Sequence, residues 1–188
     1  TCTHFNDIVQ AYKFYDEAKR IQLKDRVDDK DVGILFLETL GRLEYTNCRE
    51  YKGVRHIADA TKASKEHFGQ YSTEHLLRLL DLSHKYASIG RYHKSRRCHI
   101  KAHKPYIEYV RKQFVQASNS KRAEYWTGAY RYFSKTNEIA YQFAQNSINR
   151  NYISSTAYDC NLLSKSILLT TSKDFEDYVI HQSDSTIS

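Results

Sequence analysis

Proline occurs once in this chain of 188 residues and glycine only six times, which leaves few turn-formers for an architecture of strands and tight turns. Long apolar runs are missing as well. No window approaches the eighteen or more apolar residues of a membrane-spanning helix, and no signal-peptide pattern opens the chain, so no membrane partner is expected. The first residue is Thr1 rather than Met, which leaves room for a leading segment that has been removed. Cysteine is sparse and scattered: Cys2, Cys48, Cys98 and Cys160 form no Cys-x-x-Cys pair. That spacing argues against a zinc ribbon or a redox motif and suits a reducing cytoplasm, the expected location. There is no Gly-rich phosphate loop, no paired-carboxylate motif and no local Ser/His/Asp or Cys/His signature. Asp25, Asp28, Asp29 and Asp31 lack the glycine and terminal Glu of a calcium loop. No catalytic residue and no cofactor is therefore expected.

What the chain does have is helical periodicity, organised around His75–Ala102. Leu79, Leu82 and Tyr86 stand at three- and four-residue spacings on one helix face. Gly90 offers the left-handed position that ends that helix. Tyr92, Ser95, Cys98, His99 and Ala102 then open a second face. Two further copies of the second helix can be laid on this one. Ile8, Ala11, Tyr15 and Ala18 take its offsets near the N-terminus, with no leading helix before them. Tyr51, Val54, Ala58 and Thr61 take them in the middle, preceded by Leu37, Leu40, Gly41 and Leu43. The anchors Ile8, Tyr51 and Tyr92 stand 43 and 41 residues apart; the middle copy is the weakest, and its first helix is expected to be shifted by one residue at the turn Asn47-Cys48-Arg49-Glu50. Unrelated hairpins in an α-bundle are the alternative to a repeat.

Helices are expected over residues 5–24, from Asp28 or Asp29 (as N-caps) to Asn47, over Tyr51–His67, and from Ser72-Thr73-Glu74 onward. Pro105 predicts a kink or a fresh start. Helices then follow from Tyr106 to Ala117, around Trp126–Phe133, around Ile139–Ala144, and from Tyr152 to about Thr170. A short amphipathic piece, Phe175–Ile180, precedes a polar tail. The expected fold is all-α, with eight or nine helices. Its divisions are 1–105, 106–172 and 173–188.

The net charge of +7 is unevenly placed: residues 91–135 hold twelve Lys or Arg against two acidic residues, and the remainder of the chain is slightly acidic. Arg91, Lys94, Arg96, Arg97, Lys101, Lys104, Arg111 and Lys112 make a candidate patch for phosphates or an acidic partner. With Tyr92, Tyr106 and Tyr109 interleaved, the same run offers charges for a nucleic-acid backbone and rings for its bases. A solvated helix face or a patch for an acidic protein is the expected reading, and nucleic acid the less expected one. His99 and His103, one turn apart, with Cys98 or His93 nearby, have metal-ligand spacing. Five Lys or Arg in the segment from His93 through Lys104 repel a cation there, so no metal is expected.

The helix–turn–helix unit with small residues at its crossings resembles the tetratricopeptide repeat, with a longer loop than the usual period. The resemblance implies a right-handed superhelix whose first helices line a concave face. On the best-defined repeat it points to Glu74, Arg78, Asp81 and Lys85 as contacts for a protein or peptide. Phe114-x-x-x-Ser118-x-x-x-Arg122-x-x-x-Trp126, then Tyr130 and Phe133, then Asn137-Glu-Ile-Ala-Tyr141, then Ala157 to Leu169 form a second pattern. It resembles the region joining tetratricopeptide repeats to a CHAT domain, a caspase-like cysteine protease module of bacteria. That resemblance covers residues 106–172. It implies a non-catalytic, partner-sensing region with the protease domain itself as a further partner. The family's catalytic residues find no place here: His181 lacks a following Gly, and Cys160 falls mid-helix at a position that the family does not use for chemistry.

Overall fold

A computed structural model describes residues 2–24, 30–144 and 151–167. Among them every regular element is an α-helix: α1 (Cys2–Lys24), α2 (Lys30–Thr46), α3 (Glu50–Phe68), α4 (Thr73–Ser88), α5 (Tyr92–Gln116), α6 (Asn119–Ala144) and α7 (151–167). The all-α expectation holds, and the described residues form seven helices rather than eight or nine. The expected N-caps Asp28 and Asp29, the piece Phe175–Ile180 and the polar tail lie outside the described residues. The chain divides into two compact units, Thr1–Ala102 and His103–Ser188.

The lower count has two sources. Helix α5 continues through Pro105, where a fresh start was expected. Proline removes one backbone donor and crowds the preceding turn. On both sides of it, however, the buried positions stay in helical phase: Ser95, His99 and Ala102 before, Tyr106, Val110 and Phe114 after. Helix α6 likewise joins two expected helices, because Ala129, Tyr132, Phe133, Thr136, Ile139 and Phe143 form one unbroken buried stripe.

In the first unit, α1 packs on α2, α2 on α3 and α3 on α4. The α4 N-terminus is capped by Ser72, whose side chain accepts from the His75 amide at 3.2 Å. At its other end Gly90 adopts φ +72°, as the sequence predicts. The Arg91 amide donates to the Tyr86 carbonyl at 2.8 Å and the Gly90 amide to that of Ala87 at 2.9 Å, the paired bonds of a Schellman turn. The turn after α2 has the same left-handed position and the same long bond, but a cysteine sits in it. Cys48 has φ +58°, and the Arg49 amide donates to the Glu44 carbonyl at 2.9 Å.

Cys48 and Gly90 are 42 residues apart, and that interval recurs at the helix crossings. Gly41 of α2 meets Gly53 of α3 so closely that a Cβ on Gly53 would stand 2.5 Å from the Gly41 carbonyl oxygen. Moving 42 residues on, Ser83 of α4 meets Ser95 of α5: the two hydroxyls are 3.0 Å apart, and Ser83 donates to the Ser95 carbonyl at 2.9 Å. Ile57 and His99 are buried at equivalent places, as are Ala60 and Ala102. Gly53, Ile57 and Ala60 thus stand 42 residues before Ser95, His99 and Ala102, one residue out of step with the expected set Tyr51, Val54, Ala58 and Thr61, of which Val54 and Thr61 are also buried. Tyr51, its expected anchor, is 65% exposed.

Candidate interaction surfaces

Glu74, Arg78, Asp81 and Lys85 stand at helical spacing along α4, and their surroundings include α2 side chains. Glu38 of α2 holds two arginines: Arg42 at 2.6 Å, one turn along its own helix, and Arg78 of α4 at 3.4 Å. Arg78 also donates to the Glu74 carbonyl at 3.2 Å, and its guanidinium lies 5.8 Å from the Phe68 ring centroid. Lys85 places its ammonium 3.8 Å from the centroid of the Tyr45 ring. The Tyr45 hydroxyl is 2.7 Å from the Ser88 hydroxyl. Side chains of α2 and α4, two helices apart in the chain, thus meet directly. Glu74 and Arg42 are exposed, whereas Arg78, Asp81 and Lys85 are half-buried. The four residues named from sequence lie along this strip. Their α2 partners Glu38 and Tyr45 were not named, because spacing along one helix does not show which side chains of another helix stand beside it.

Glu44 was missed as well. Its side chain is only 3% exposed, yet it accepts from Lys52 at 2.5 Å and pairs with Arg49 at 3.5 Å. Burial pushes its carboxyl pKa up, but the Lys52 bond and charge, Tyr12 and Arg49 together hold it below the ordinary value. One carboxylate therefore ties α2 to the start of α3.

The eight cations of the basic run fall in both units. Arg91, Lys94, Arg96, Arg97 and Lys101 are exposed in the first. Arg91 lies 5.7 Å from the Tyr51 ring centroid and Lys94 5.5 Å from that of Tyr86. In the second unit Lys104, Arg111 and Lys112 are exposed, and Lys104 stands 3.9 Å from Glu108. Of the rings expected between the cations, Tyr106 is buried and stacked on Tyr132 at 3.9 Å with 10° between planes. Tyr92 and Tyr109 are half-buried.

The histidine–cysteine cluster does not converge. His93 is exposed, Cys98 half-buried and His99 buried, and no group of three or more metal-binding side chains gathers among the described residues. Burial pushes the Cys98 thiol up to about 11, and that of Cys160 up to about 12. Both thiols are therefore protonated at neutral pH. No helix among the described residues is long and apolar enough to cross a membrane.

The second unit holds a groove of about 560 Å³ between α5 and α7. Ile107, Leu162 and Leu163 supply its apolar lining, and Lys104, Glu108, Arg111 and Asp159 its charges. His103 also lines it, with Nδ1 3.4 Å from the Tyr132 hydroxyl. Burial lowers the His103 pKa, against the pull of Asp159. Charges of both signs therefore border its apolar lining.

Compared with models of known protein families and with curated protein sequences, the chain matches neither.

Proposed function

We propose that this chain is a tetratricopeptide-like helical-repeat module that binds a protein or peptide along the face shared by α2 and α4. The observation that carries the reading is the 42-residue recurrence in the first unit: Gly41/Gly53 and Ser83/Ser95 at the crossings, with Cys48 and Gly90 at the turns. Small residues at each crossing let successive helices approach closely. Stacking such units in register generates a superhelix with one helix of each pair on its inner face. The contacts between Glu38 and Arg78, and between Tyr45 and Lys85, support α2 and α4 as neighbours on that face. A partner there meets a preformed strip of alternating charge, with most of its side chains already ordered, so binding costs little conformational entropy.

In the fuller form of this reading, residues 106–172 link the module to a caspase-like protease domain and transmit partner binding to it. Only the sequence resemblance of those residues supports it. Sequencing the gene beyond Ser188 tests it: a frame with His-Gly and a later Cys favours the relay, and a frame that soon closes leaves a free-standing adaptor.

A nucleic-acid reading of residues 91–135 has less support, since Tyr106, one of its proposed stacking rings, is buried against Tyr132. The test of the main reading is selection of binders from a displayed peptide library, followed by titration of Arg42→Ala and Lys85→Ala. Loss of about tenfold in affinity in each variant is expected. Binders that ignore both substitutions would overturn the assignment to α2 and α4.

A further inference from the structure

Between Asp81 and Glu108 the sequence carries no Asp or Glu but seven Lys or Arg, and the first part of α5 sorts them by side. Its inner side is closed. Ser95, His99 and Ala102 are buried, and Cys98 packs on the cluster of Val54, Ile57 and Leu82. Its outer side exposes His93, Lys94, Arg96, Arg97, Ile100 and Lys101. Lys94 is engaged with the Tyr86 ring. Arg97 and Lys101, in contrast, make no ion pair among the described residues. Ile100 stands in the middle of this face, 42% exposed, with Arg96 and Arg97 one turn before it and Lys101 beside it.

An apolar side chain with a rim of cations is the usual anatomy of a protein contact: a desolvated anchor surrounded by charges that orient the partner. A surface built only for phosphates has no use for the isoleucine, and bases need open rings to stack on. We propose that the outer face of α5 over His93–Lys101 is a second docking surface, for an acidic protein segment that places one apolar side chain on Ile100. Its carboxylates pair with Arg97 and Lys101, and like-charged segments are turned away. This surface is separate from the α2/α4 face, so either assignment can fail without the other.

The probe is a short fluorescein-labelled helix-forming peptide of Glu, Asp and Ala with one central Leu, titrated against the whole chain by anisotropy. The expected result is saturable binding that Arg97→Glu with Lys101→Glu weakens at least about tenfold. Ile100→Ser, or a Ser in place of the peptide's Leu, is expected to weaken it about fivefold. Arg42→Ala and Lys85→Ala leave it unchanged. All these positions are solvent-facing or half-buried, and a helical circular-dichroism spectrum confirms that each variant is folded. Equal binding by the wild type and the charge-reversed variant overturns the proposal. So does tighter, steeply salt-dependent binding of a labelled DNA duplex or single-stranded RNA that Ile100→Ser leaves intact, since that result marks a phosphate surface.

Discussion

Cys48 occupies a backbone position that suits glycine, and the equivalent turn 42 residues later has one at Gly90. A left-handed residue with a Cβ is strained by roughly 1–2 kcal/mol, while glycine's greater freedom in the unfolded chain takes back part of the gain. Cys48→Gly is therefore expected to stabilise the first unit by about 0.5–1 kcal/mol, and Gly90→Ala to destabilise it by about 1 kcal/mol. Denaturant midpoints of the two variants, moving in opposite directions, check this. Gly53 is constrained by space. An added methyl would meet backbone atoms, the Gly41 carbonyl oxygen at 2.5 Å and the Tyr45 nitrogen at 2.6 Å, and neither can rotate away. Gly53→Ala is expected to force α2 and α3 apart and cost about 1–3 kcal/mol, read as a lower unfolding midpoint.

At the scale of the element, α5 shows how tertiary burial outweighs a local breaker. The helix keeps Pro105 although the ring removes one intrahelical bond, because unwinding there would expose Ala102, Tyr106 and Val110, all 3% exposed or less. Removing the proline restores the donor: Pro105→Ala is expected to raise stability by about 1–2 kcal/mol, part of the ~3 kcal/mol interior penalty being offset by a freer unfolded chain. Thermal melting with an unchanged helical signal is the measurement. A fall in stability would mean that the helix is shaped around the ring.

For the molecule as a whole, the buried ionisable groups set a direction with pH. His75 is buried, with Nδ1 3.1 Å from the Ser64 hydroxyl. Burial lowers its pKa, and Lys65, Arg78 and Lys101 add to the effect against a backbone bond to Thr61. His103 in the second unit is lowered by burial too. A histidine whose folded pKa lies below its unfolded value binds fewer protons when folded. Its contribution is complete above the ordinary value of 6.5 and is lost as pH falls through the folded pKa. Glu44, held below its ordinary 4.5, has the same sign and adds a further loss in more acid solution. Stability is expected to decline between about pH 7.5 and 5.5, with a shallower decline in His75→Asn. Denaturant titrations across that range check both. Stability that rises on acidification would show the histidines to be charged when folded.

The helical class was legible in the sequence because apolar spacing, scarce turn-formers and a terminating Gly90 are local signals, and each acts within a few residues. The turn after α2 and the small residues Gly41 and Ser95 were visible too, but not which of them meet. Register and contact depend on which side chain stands opposite which, and a single residue of slip at Tyr51 leaves the periodicity and much of the buried face unchanged while misplacing the residues that meet at the crossing. The same limit hid Glu38, Tyr45 and Glu44, whose partners on neighbouring helices are assigned only by packing. Charge along residues 91–104 was plain from composition. Only the tertiary structure buried one side of α5, left Ile100 among the cations on the other, and enclosed Tyr106 beneath Tyr132, because burial is a property of what packs against a helix rather than of the helix itself.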